Sequence, residues 1–292
     1  MKGIILAGGS GSRLQPITNS ISKQLVPVYD KPMVYYPLAT LMQAGVREIL
    51  VISAPSALPL FTELLGDGRR LGLELSYLPQ EEPRGIAEAL VLGERHLGGA
   101  PAALALGDNV FHGSTLQEHL WAGRERLDGC VLFGSPVSDP HRYGIAEVDG
   151  SGNLLSLEEK PPAPKSDLAV TGLYLYDGNA SEVARNVRPS PRGELEITDV
   201  NAAYLEEKRS SIITLPPGIS WADTGTPESL LSTSQYVYSL EKQERTRVAC
   251  IEEIALRMGF IDSGACYNLG AEMQHSAYGQ YVMNFAELWD DS

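Results

Sequence analysis

A glycine-rich loop followed by an arginine is the first group of residues in this chain that could bind an anion. Gly8, Gly9 and Gly11 follow an apolar run, and Arg13 comes shortly after them. Successive backbone N–H groups in such a loop form a concave anion site, and a guanidinium group matches phosphate oxygens. The stretch therefore indicates phosphate binding, although the glycines alone are more typical of an ordinary turn between a strand and a helix.

Two common phosphate-binding motifs do not fit this loop. The Walker motif requires a lysine directly after its glycines, and none is present. The dinucleotide motif requires a third glycine where this chain has Leu14, and an acidic residue at the end of a second strand, which is also missing. The chain instead adds a second cation, Lys23, ahead of an apolar stretch that ends at Pro27.

Two aspartates in separate parts of the chain could bind a metal ion. Asp108 follows the apolar run Ala102–Leu106, and Asp223 lies in a turn rich in Thr and Gly. Carboxylate oxygens suit Mg²⁺, which also keeps water and substrate phosphates as ligands. An aspartate that follows a buried strand can equally cap the next helix. Whether the two aspartates meet is therefore left open at this point.

Several motifs resemble those of one enzyme family. Residues 8–18 match the pattern GGxGxRLxPxT of the sugar nucleotidyltransferases, and Lys23-Gln24-Leu25-Val26-Pro27-Val28 matches their next motif. The segments Arg142-Tyr143-Gly144, residues 170–174 and residues 192–200 also fall in register. Together they resemble the short bacterial glucose-1-phosphate thymidylyltransferases, and the resemblance spans nearly the whole chain.

The resemblance implies a Mg²⁺-dependent transfer of a thymidylyl group from dTTP to α-D-glucose 1-phosphate. The products would be dTDP-glucose and pyrophosphate, in the first step of the synthesis of dTDP-deoxysugars such as dTDP-rhamnose. A phosphate monoester has its second pKa near ~6, so the attacking oxygen is already ionised at neutral pH. The reaction therefore needs cations that position two polyanions and no general base.

The resemblance also implies the role of each site residue. The catalytic residues would be Arg13, Lys23, Asp108, Lys160 and Asp223, of which Asp108 and Asp223 would bind Mg²⁺. The nucleotide would contact Gly8, Gly9, Gly11, Arg13, Gln24, Gln80, Gly85 and Asp108. The sugar phosphate would contact Tyr143, Gly144, Glu159, Lys160, Val170 and Arg192. Asp139 and Arg142 are assigned structural roles.

Base choice is expected to rest on Gln80 and Gly85. A side-chain amide both donates and accepts hydrogen bonds, so Gln80 could pair with the edge of thymine. Glu88 stands where many relatives carry glutamine. This difference weakens the expectation of a strict preference for thymine over uracil.

Strands and helices alternate in the first part of the chain, which predicts an α/β fold. The expected architecture is a Rossmann-like, doubly wound, mostly parallel sheet, with ligands beyond the carboxyl ends of its strands. Predicted strands cover residues 2–7, 48–53, 73–78 and 102–106, and predicted helices cover 32–44, 57–65 and 85–97. A hairpin at 144–158 and a strand at 170–176 predict an inserted second β layer that binds the sugar phosphate. Helices are predicted at 227–243 and 251–258.

These elements predict a catalytic domain over residues 1–226 and a C-terminal helical region over residues 227–292. Within the domain, residues 1–128 would bind the nucleotide and residues 129–226 the sugar phosphate. By resemblance, the C-terminal helices would form subunit contacts in a homotetramer, a dimer of dimers, with a second, inhibitory nucleotide site between subunits. Gln117 and Pro217 replace a frequent His and Arg, so feedback inhibition is expected to be weaker or differently tuned.

Composition excludes several other classes of function. The chain has 292 residues and a net charge of −14, which opposes non-specific binding to nucleic acid and to anionic membranes. Its three cysteines have no disulfide or metal spacing and are expected in the core of a protein from a reducing compartment. No signal peptide or membrane span is recognisable, so a cytoplasmic location is expected.

Three alternatives remain open from the sequence. The same chemistry could use UTP or another hexose 1-phosphate. The chain could also be a non-catalytic sensor of sugar nucleotides that has kept the fold. A dinucleotide-dependent oxidoreductase is a third alternative, which the missing third glycine weakens.

Overall fold

The computed structural model of the protein describes residues 1–9 and 11–290. The strands are β1 Lys2–Ala7, β2 Pro27–Val28, β3 Lys31–Pro32, β4 Glu48–Ser53, β5 Glu74–Pro79, β6 Ala102–Leu106, β7 Asn109–His112, β8 Cys130–Pro136, β9 Gly144–Val148, β10 Leu154–Glu159, β11 Leu168–Tyr176, β12 Ser210–Thr214 and β13 Ser220–Asp223. The α-helices are α1 Tyr35–Gln43, α2 Leu58–Leu65, α3 Glu88–Leu92, α4 Glu94–Leu97, α5 Leu116–Glu125, α6 Ala180–Asn186, α7 Ile197–Glu206, α8 Pro227–Glu244, α9 Ile251–Arg257, α10 Ser263–Glu272 and α11 Ala277–Asp290.

One large mixed sheet organises these elements. The apolar strand β1 lies between β4 and β6 and is parallel to both, and β5 extends the parallel part to an edge. On the other side the order continues from β6 through β11 and β9 to β10, while β8 and β12 branch from β11. Helices cover both faces of the parallel part, because its strands are apolar on both faces. The predicted Rossmann-like α/β class is confirmed.

The inserted sugar-side strands are continuous with the main sheet. Strand β11 pairs with β6 through residues 173–176, and it pairs with β9 through Ala169 and Ile145. Its pairing with β8 shifts register between Val170 and Tyr174, so the two ends of β11 reach different neighbours. The sugar-side strands therefore extend the main sheet, which also covers the edge that β6 would otherwise leave unpaired.

Three local predictions differ from the structure. Helix α1 begins at Tyr35 instead of Pro32, because Pro32 pairs with Pro27 in a short hairpin. The helix predicted over 85–97 begins at Glu88 and is divided at Gly93 into α3 and α4. Asp108 does not cap a helix, because the next element is the strand β7.

The C-terminal helices pack onto the rest of the chain. Helix α8 begins in a capping box formed by Thr226 and Ser229, and its Leu230 and Val237 share a core cluster with Leu14. The division at residue 226 stays a prediction. All three cysteines are buried free thiols, which confirms their expected place in the core. Among the described residues, no helix is long and apolar enough to cross a membrane.

Candidate functional site

A cavity of about 540 Å³ lies beyond the carboxyl ends of β1 and β6, between the two halves of the sheet. The predicted site residues that line it are Gly8, Arg13, Gln24, Asp108, Tyr143, Gly144, Glu159, Lys160, Val170, Arg192 and Asp223. A neighbouring cavity of about 220 Å³ is lined by the glycine loop, including Gly9 and Gly11, and by Lys23. Residues from distant parts of the sequence thus meet around one space.

Strands β7 and β13 bring the two aspartates together. They form an antiparallel ribbon in which Asn109 pairs with Asp223, so Asp108 directly precedes the pairing. Thr224 donates to the carbonyl oxygen of Asp108 through its backbone N–H, at 3.0 Å, and through its hydroxyl, at 2.8 Å. Burial raises the pKa of Asp223, and the charge of Asp108 raises it further. The two carboxylates therefore repel each other in a partly desolvated place, which favours a cation between them.

Two predicted cations lie against this pair. Lys23 Nζ forms a salt bridge with Asp108 Oδ2, and the charges of Lys23 and Arg13 oppose the rise in the pKa of Asp223. Gly225 allows the close approach of Arg13, because a Cβ placed on Gly225 would come within 2.8 Å of Arg13 Nη2 and 2.9 Å of Asp223 Oδ1. The backbone at this turn thus leaves room for the guanidinium group beside the carboxylate.

The donor set fits a magnesium ion better than a metal that is held by protein alone. The described residues contain no cluster of three or more His, Cys, Asp or Glu that could hold a metal ion. Asp108 and Asp223 together supply only carboxylate oxygens. Mg²⁺ suits such a pair because it completes its coordination with water and substrate phosphates.

Arg142, which was assigned a structural role, is also at this site. It lines the cavity, and its Nη2 lies 3.8 Å from Asp223 Oδ2. That nitrogen is buried and has no hydrogen-bond partner among the described residues. The guanidinium group rests over the ring of Tyr143, 5.4 Å from its centroid. Its place in the matched segment Arg142-Tyr143-Gly144 was the sequence signal that could have identified it.

On the opposite wall, carboxylates hold the predicted sugar-phosphate cations. Glu159 accepts hydrogen bonds from Thr198 Oγ1 at 2.6 Å and from Lys160 Nζ at 2.8 Å. Arg192 Nη2 lies 3.4 Å from Glu159 Oε1 and donates to Glu196 Oε1 at 2.8 Å. Lys160 has a φ of 43°, a left-handed backbone conformation that is uncommon for a residue with a side chain and is found at functional sites.

Asn109 is a second residue that sequence reasoning missed. Its side chain is buried, and its Oδ1 accepts from Gly172 N at 3.0 Å and from Trp221 Nε1 at 2.5 Å. Its Nδ2 donates to Asp108 Oδ1 at 2.9 Å. Asn109 therefore connects β11, the β7–β13 ribbon and a candidate metal ligand. Nothing in the sequence pattern indicates this role, because the contacts join three separate segments.

The two predicted base-reading residues lie outside the lining of both cavities. Gln80 follows β5 and is buried, and a Cβ on Gly8 would come within 2.3 Å of its Oε1. Gly85 has a φ of 105°, and a Cβ there would come within 2.3 Å of Leu195 O. Gln80 thus lies against the glycine loop, whereas Gly85 lies against the segment that follows Arg192.

Comparisons with known proteins give a consistent result. Residues 2–239 match the sequence model of a family described as nucleotidyl transferase. A glucose-1-phosphate thymidylyltransferase from Neisseria gonorrhoeae is 48% identical over 284 residues, which cover 97% of this chain and 99% of the relative. Another from Actinoplanes sp. is 49% identical over 283 residues, covering 97% of this chain and 93% of the relative.

A solved structure shares the fold. The crystal structure of a protein described as a glucose-1-phosphate thymidylyltransferase from Bacillus anthracis, in complex with sucrose, has a TM-score of 0.75 and 37% identity. The match covers 81% of this chain and 94% of that protein. The family model, over residues 2–239, includes every residue that lines the two cavities.

Proposed function

Because this chain belongs to the glucose-1-phosphate thymidylyltransferase family of nucleotidyl transferases, we propose that the cavity described above joins dTTP to a sugar phosphate. The enzyme transfers the thymidylyl group of dTTP to α-D-glucose 1-phosphate and releases pyrophosphate. The product, dTDP-glucose, begins the synthesis of dTDP-deoxysugars. Activity depends on bringing two polyanions together in a protein whose net charge is −14. Local cations must therefore overcome the repulsion between the two substrates and the repulsion between each substrate and the negatively charged protein.

In the transfer, an ionised phosphate oxygen of glucose 1-phosphate attacks the α-phosphorus of dTTP. The bond between that phosphorus and the oxygen bridging to the β-phosphate breaks, and pyrophosphate leaves with the electron pair. No proton has to be removed, since a phosphate monoester is largely ionised above pH ~6. The protein contributes alignment and stabilisation of the charge that spreads over the phosphoryl oxygens.

Each wall of the cavity serves one substrate. Arg13 and Lys23, with the backbone N–H groups of the glycine loop, bind the phosphates of dTTP. Lys160 and Arg192, which stand on the opposite wall 2.8 Å and 3.4 Å from Glu159 Oε1, bind the phosphate of the sugar. The two sets of cations meet from either side, so they align the attacking oxygen with the leaving group.

Sugar recognition rests on Glu159 together with Tyr143, Gly144 and Val170. Glu159 is fixed by Thr198, and its carboxylate can accept hydrogen bonds from glucose hydroxyls. Base recognition rests on Gln80 and Gly85, and Gln24 faces the deoxyribose. Arg142 adds a further cation beside Asp223, and its buried Nη2, which has no hydrogen-bond partner in the described part of the chain, could donate to a phosphate oxygen.

Enzymes of this family generally use a divalent metal ion, and we infer that this one uses Mg²⁺. Asp108 and Asp223 would hold it, since their carboxylates meet at the cavity. When bound, the ion would neutralise part of the phosphate charge during transfer.

We also infer that the protein is a cytoplasmic homotetramer, a dimer of dimers, with a second nucleotide site between subunits. Light scattering coupled to size-exclusion chromatography would test the assembly. A mass close to four times 31.6 kDa is expected. A monomeric mass at the concentrations used for assay would contradict this part of the proposal.

The single observation that carries the proposed function is the meeting of both cation sets and both aspartates around the large cavity and its smaller neighbour. A pyrophosphate-release assay over dTTP, UTP, ATP and CTP, each with several sugar 1-phosphates, tests it. Rapid release is expected with dTTP and glucose 1-phosphate. A preference for UTP or another hexose 1-phosphate would favour the alternative substrates. Binding without release under any combination would indicate a sensor and contradict the proposal.

A further inference from the structure

Glu88 forms a hydrogen bond that determines how the amide of Gln80 is oriented. Gln80 Nε2 donates to Glu88 Oε2 at 2.7 Å. The opposite atom of the amide, Oε1, lies against the glycine loop, since a Cβ on Gly8 would come within 2.3 Å of it. Gln80 is 6% exposed and the Glu88 side chain 14% exposed, so water competes little for this contact.

The orientation follows from the chemistry of Glu88. An ionised carboxylate has no hydrogen to donate, so only the NH₂ end of Gln80 can face it favourably. The other carboxylate oxygen, Oε1, lies 3.9 Å from Arg84 Nε. Turning the amide over would place its carbonyl oxygen against the carboxylate of Glu88 and leave both acceptors unpaired. The amide of Gln80 is therefore held in one of its two orientations.

We propose that Glu88 is a positioning residue that makes Gln80 select pyrimidines with a hydrogen on ring nitrogen N3. The inference rests on the proposed function, in which Gln80 reads the base. Held by Glu88, Gln80 offers its carbonyl oxygen to N3–H and keeps one amide hydrogen for a neighbouring exocyclic oxygen. Thymine and uracil present this pattern. Cytosine presents an N3 acceptor and an exocyclic amine, so it would need the reversed amide.

Glu88 is expected to affect discrimination between some bases and not between others. It separates thymine and uracil from cytosine, because the pattern of donor and acceptor at N3 differs between them. It does not separate thymine from uracil, because both have the same pattern there. A glutamine at position 88 could either donate or accept, so it would tolerate both orientations of Gln80.

The test measures binding of dTTP, UTP and dCTP by calorimetry to the full-length protein and to Glu88→Gln, with pyrophosphate release measured in parallel. The ratio of dCTP to dTTP dissociation constants should fall roughly tenfold in Glu88→Gln, because a mismatched buried hydrogen bond carries about that penalty. The ratio of UTP to dTTP should not change. Glu82→Gln is the matched control, since Glu82 also pairs with Arg84, at 3.3 Å, but is 72% exposed.

The same substitution made in the Gln80→Ala variant tests whether Glu88 acts through Gln80. In Gln80→Ala, adding Glu88→Gln should leave the dCTP to dTTP ratio unchanged. A ratio that Glu88→Gln does not alter in the wild-type background, or alters equally in the Gln80→Ala background, would overturn the inference. If the wild-type protein discriminated between the bases in binding but released no pyrophosphate, the proposed function alone would be overturned.

Discussion

Two clusters of opposite charges in this molecule share similar residue types but differ in what they leave unpaired. In the first, Asp30, Lys31, Glu241 and Arg247 join the β2–β3 hairpin to the end of α8. Glu241 Oε1 lies 3.1 Å from Lys31 Nζ, and Glu241 Oε2 lies 2.8 Å from Arg247 Nη1. Glu241 also accepts from the backbone N–H of Val248 at 2.9 Å. This cluster, here called the hairpin cluster, balances two cations against two carboxylates.

The second cluster, here called the cavity cluster, consists of Arg13, Lys23, Arg142, Asp108 and Asp223. Its carboxylates face each other, so the pKa of Asp223 is raised by burial and by Asp108. Its Arg142 has a buried nitrogen without a hydrogen-bond partner among the described residues. The cluster also borders a cavity of about 540 Å³, whereas the hairpin cluster borders neither cavity of the candidate site.

The charges of the hairpin cluster stabilise the fold, whereas those of the cavity cluster are expected to gain their partners when a ligand binds. A buried ion pair is tolerated when its partners and hydrogen bonds are complete, and removing one partner leaves the other uncompensated. Charges kept incomplete beside a cavity reduce stability in the free protein and gain their partners when the substrates bind. Carboxylate-to-amide substitutions in the two clusters should therefore have opposite consequences.

The largest effect is expected for Asp223→Asn in the cavity cluster. Its kcat for pyrophosphate release should fall roughly a thousandfold, because one of the two carboxylates that would hold the metal ion beside the reacting phosphates is lost. Its melting temperature at neutral pH should not fall, since a buried carboxylate repelled by Asp108 is removed. Calorimetric melting and pyrophosphate release on the same preparation check both. A large loss of stability would show that Asp223 stabilises the fold, as the carboxylates of the hairpin cluster do.

The second prediction concerns Glu241→Gln in the hairpin cluster. The free energy of unfolding should fall by about 3–5 kcal/mol, because Lys31 and Arg247 lose a buried counter-charge. Denaturant titration measures this, and Glu244→Gln, an exposed neighbour on the same helix, is the control. Activity per folded molecule should stay close to that of the wild type. A selective loss of kcat with full stability would contradict the comparison.

Arg142 provides a smaller test of the cavity cluster. Arg142→Met should lower kcat/KM on the order of a hundredfold, as for the loss of one charged donor to the reacting phosphates. Arg142→Lys should recover part of the activity, since it restores the charge without the planar fork. The exposed Arg95→Met serves as control. If Arg142→Met were as active as the control, the structural role predicted from the sequence would be correct.

The smallest expected effect concerns inhibition at the proposed second nucleotide site between subunits. Pro217 has neither an N–H group nor a charge with which to bind phosphate, and Gln117 Nε2 lies 3.5 Å from Met258 Sδ. Inhibition by dTDP-rhamnose should therefore be weak, and Pro217→Arg should lower the half-inhibitory concentration by about tenfold. Inhibition curves under identical substrate concentrations measure this. An inhibition curve typical of the family from the unaltered protein would contradict the expectation.

The sequence predicted the parallel part of the sheet well, because each of its strands is a short apolar run that needs no distant partner to be recognised. It was less informative where an element depends on pairing partners. Strand β11 joins the main sheet because its two halves have different neighbours, and β7 and β13 exist only as a pair. Pro32 suggested a helix start because the short pairing with Pro27 cannot be read from local preference.

For the site, motif resemblance supplied residues that the fold does bring to one cavity, including Arg13, Asp108 and Asp223. It left out Asn109 and assigned Arg142 a structural role, because the contacts of both residues join separate segments. For Glu88 it indicated only a weaker preference for thymine over uracil, because the bond to Gln80 becomes visible only when β5 and α3 are placed together. Spacing along the chain carries no information about such contacts.

The central claim is that transfer requires a divalent ion, which Asp108 and Asp223 would hold together. The decisive measurement is pyrophosphate release from dTTP and glucose 1-phosphate as free Mg²⁺ is varied from full chelation upward. We predict that release stops under chelation, returns with added Mg²⁺, and does not return in Asp223→Asn at the same concentrations. Undiminished release without a divalent ion, or a normal response to Mg²⁺ in Asp223→Asn, would contradict the account.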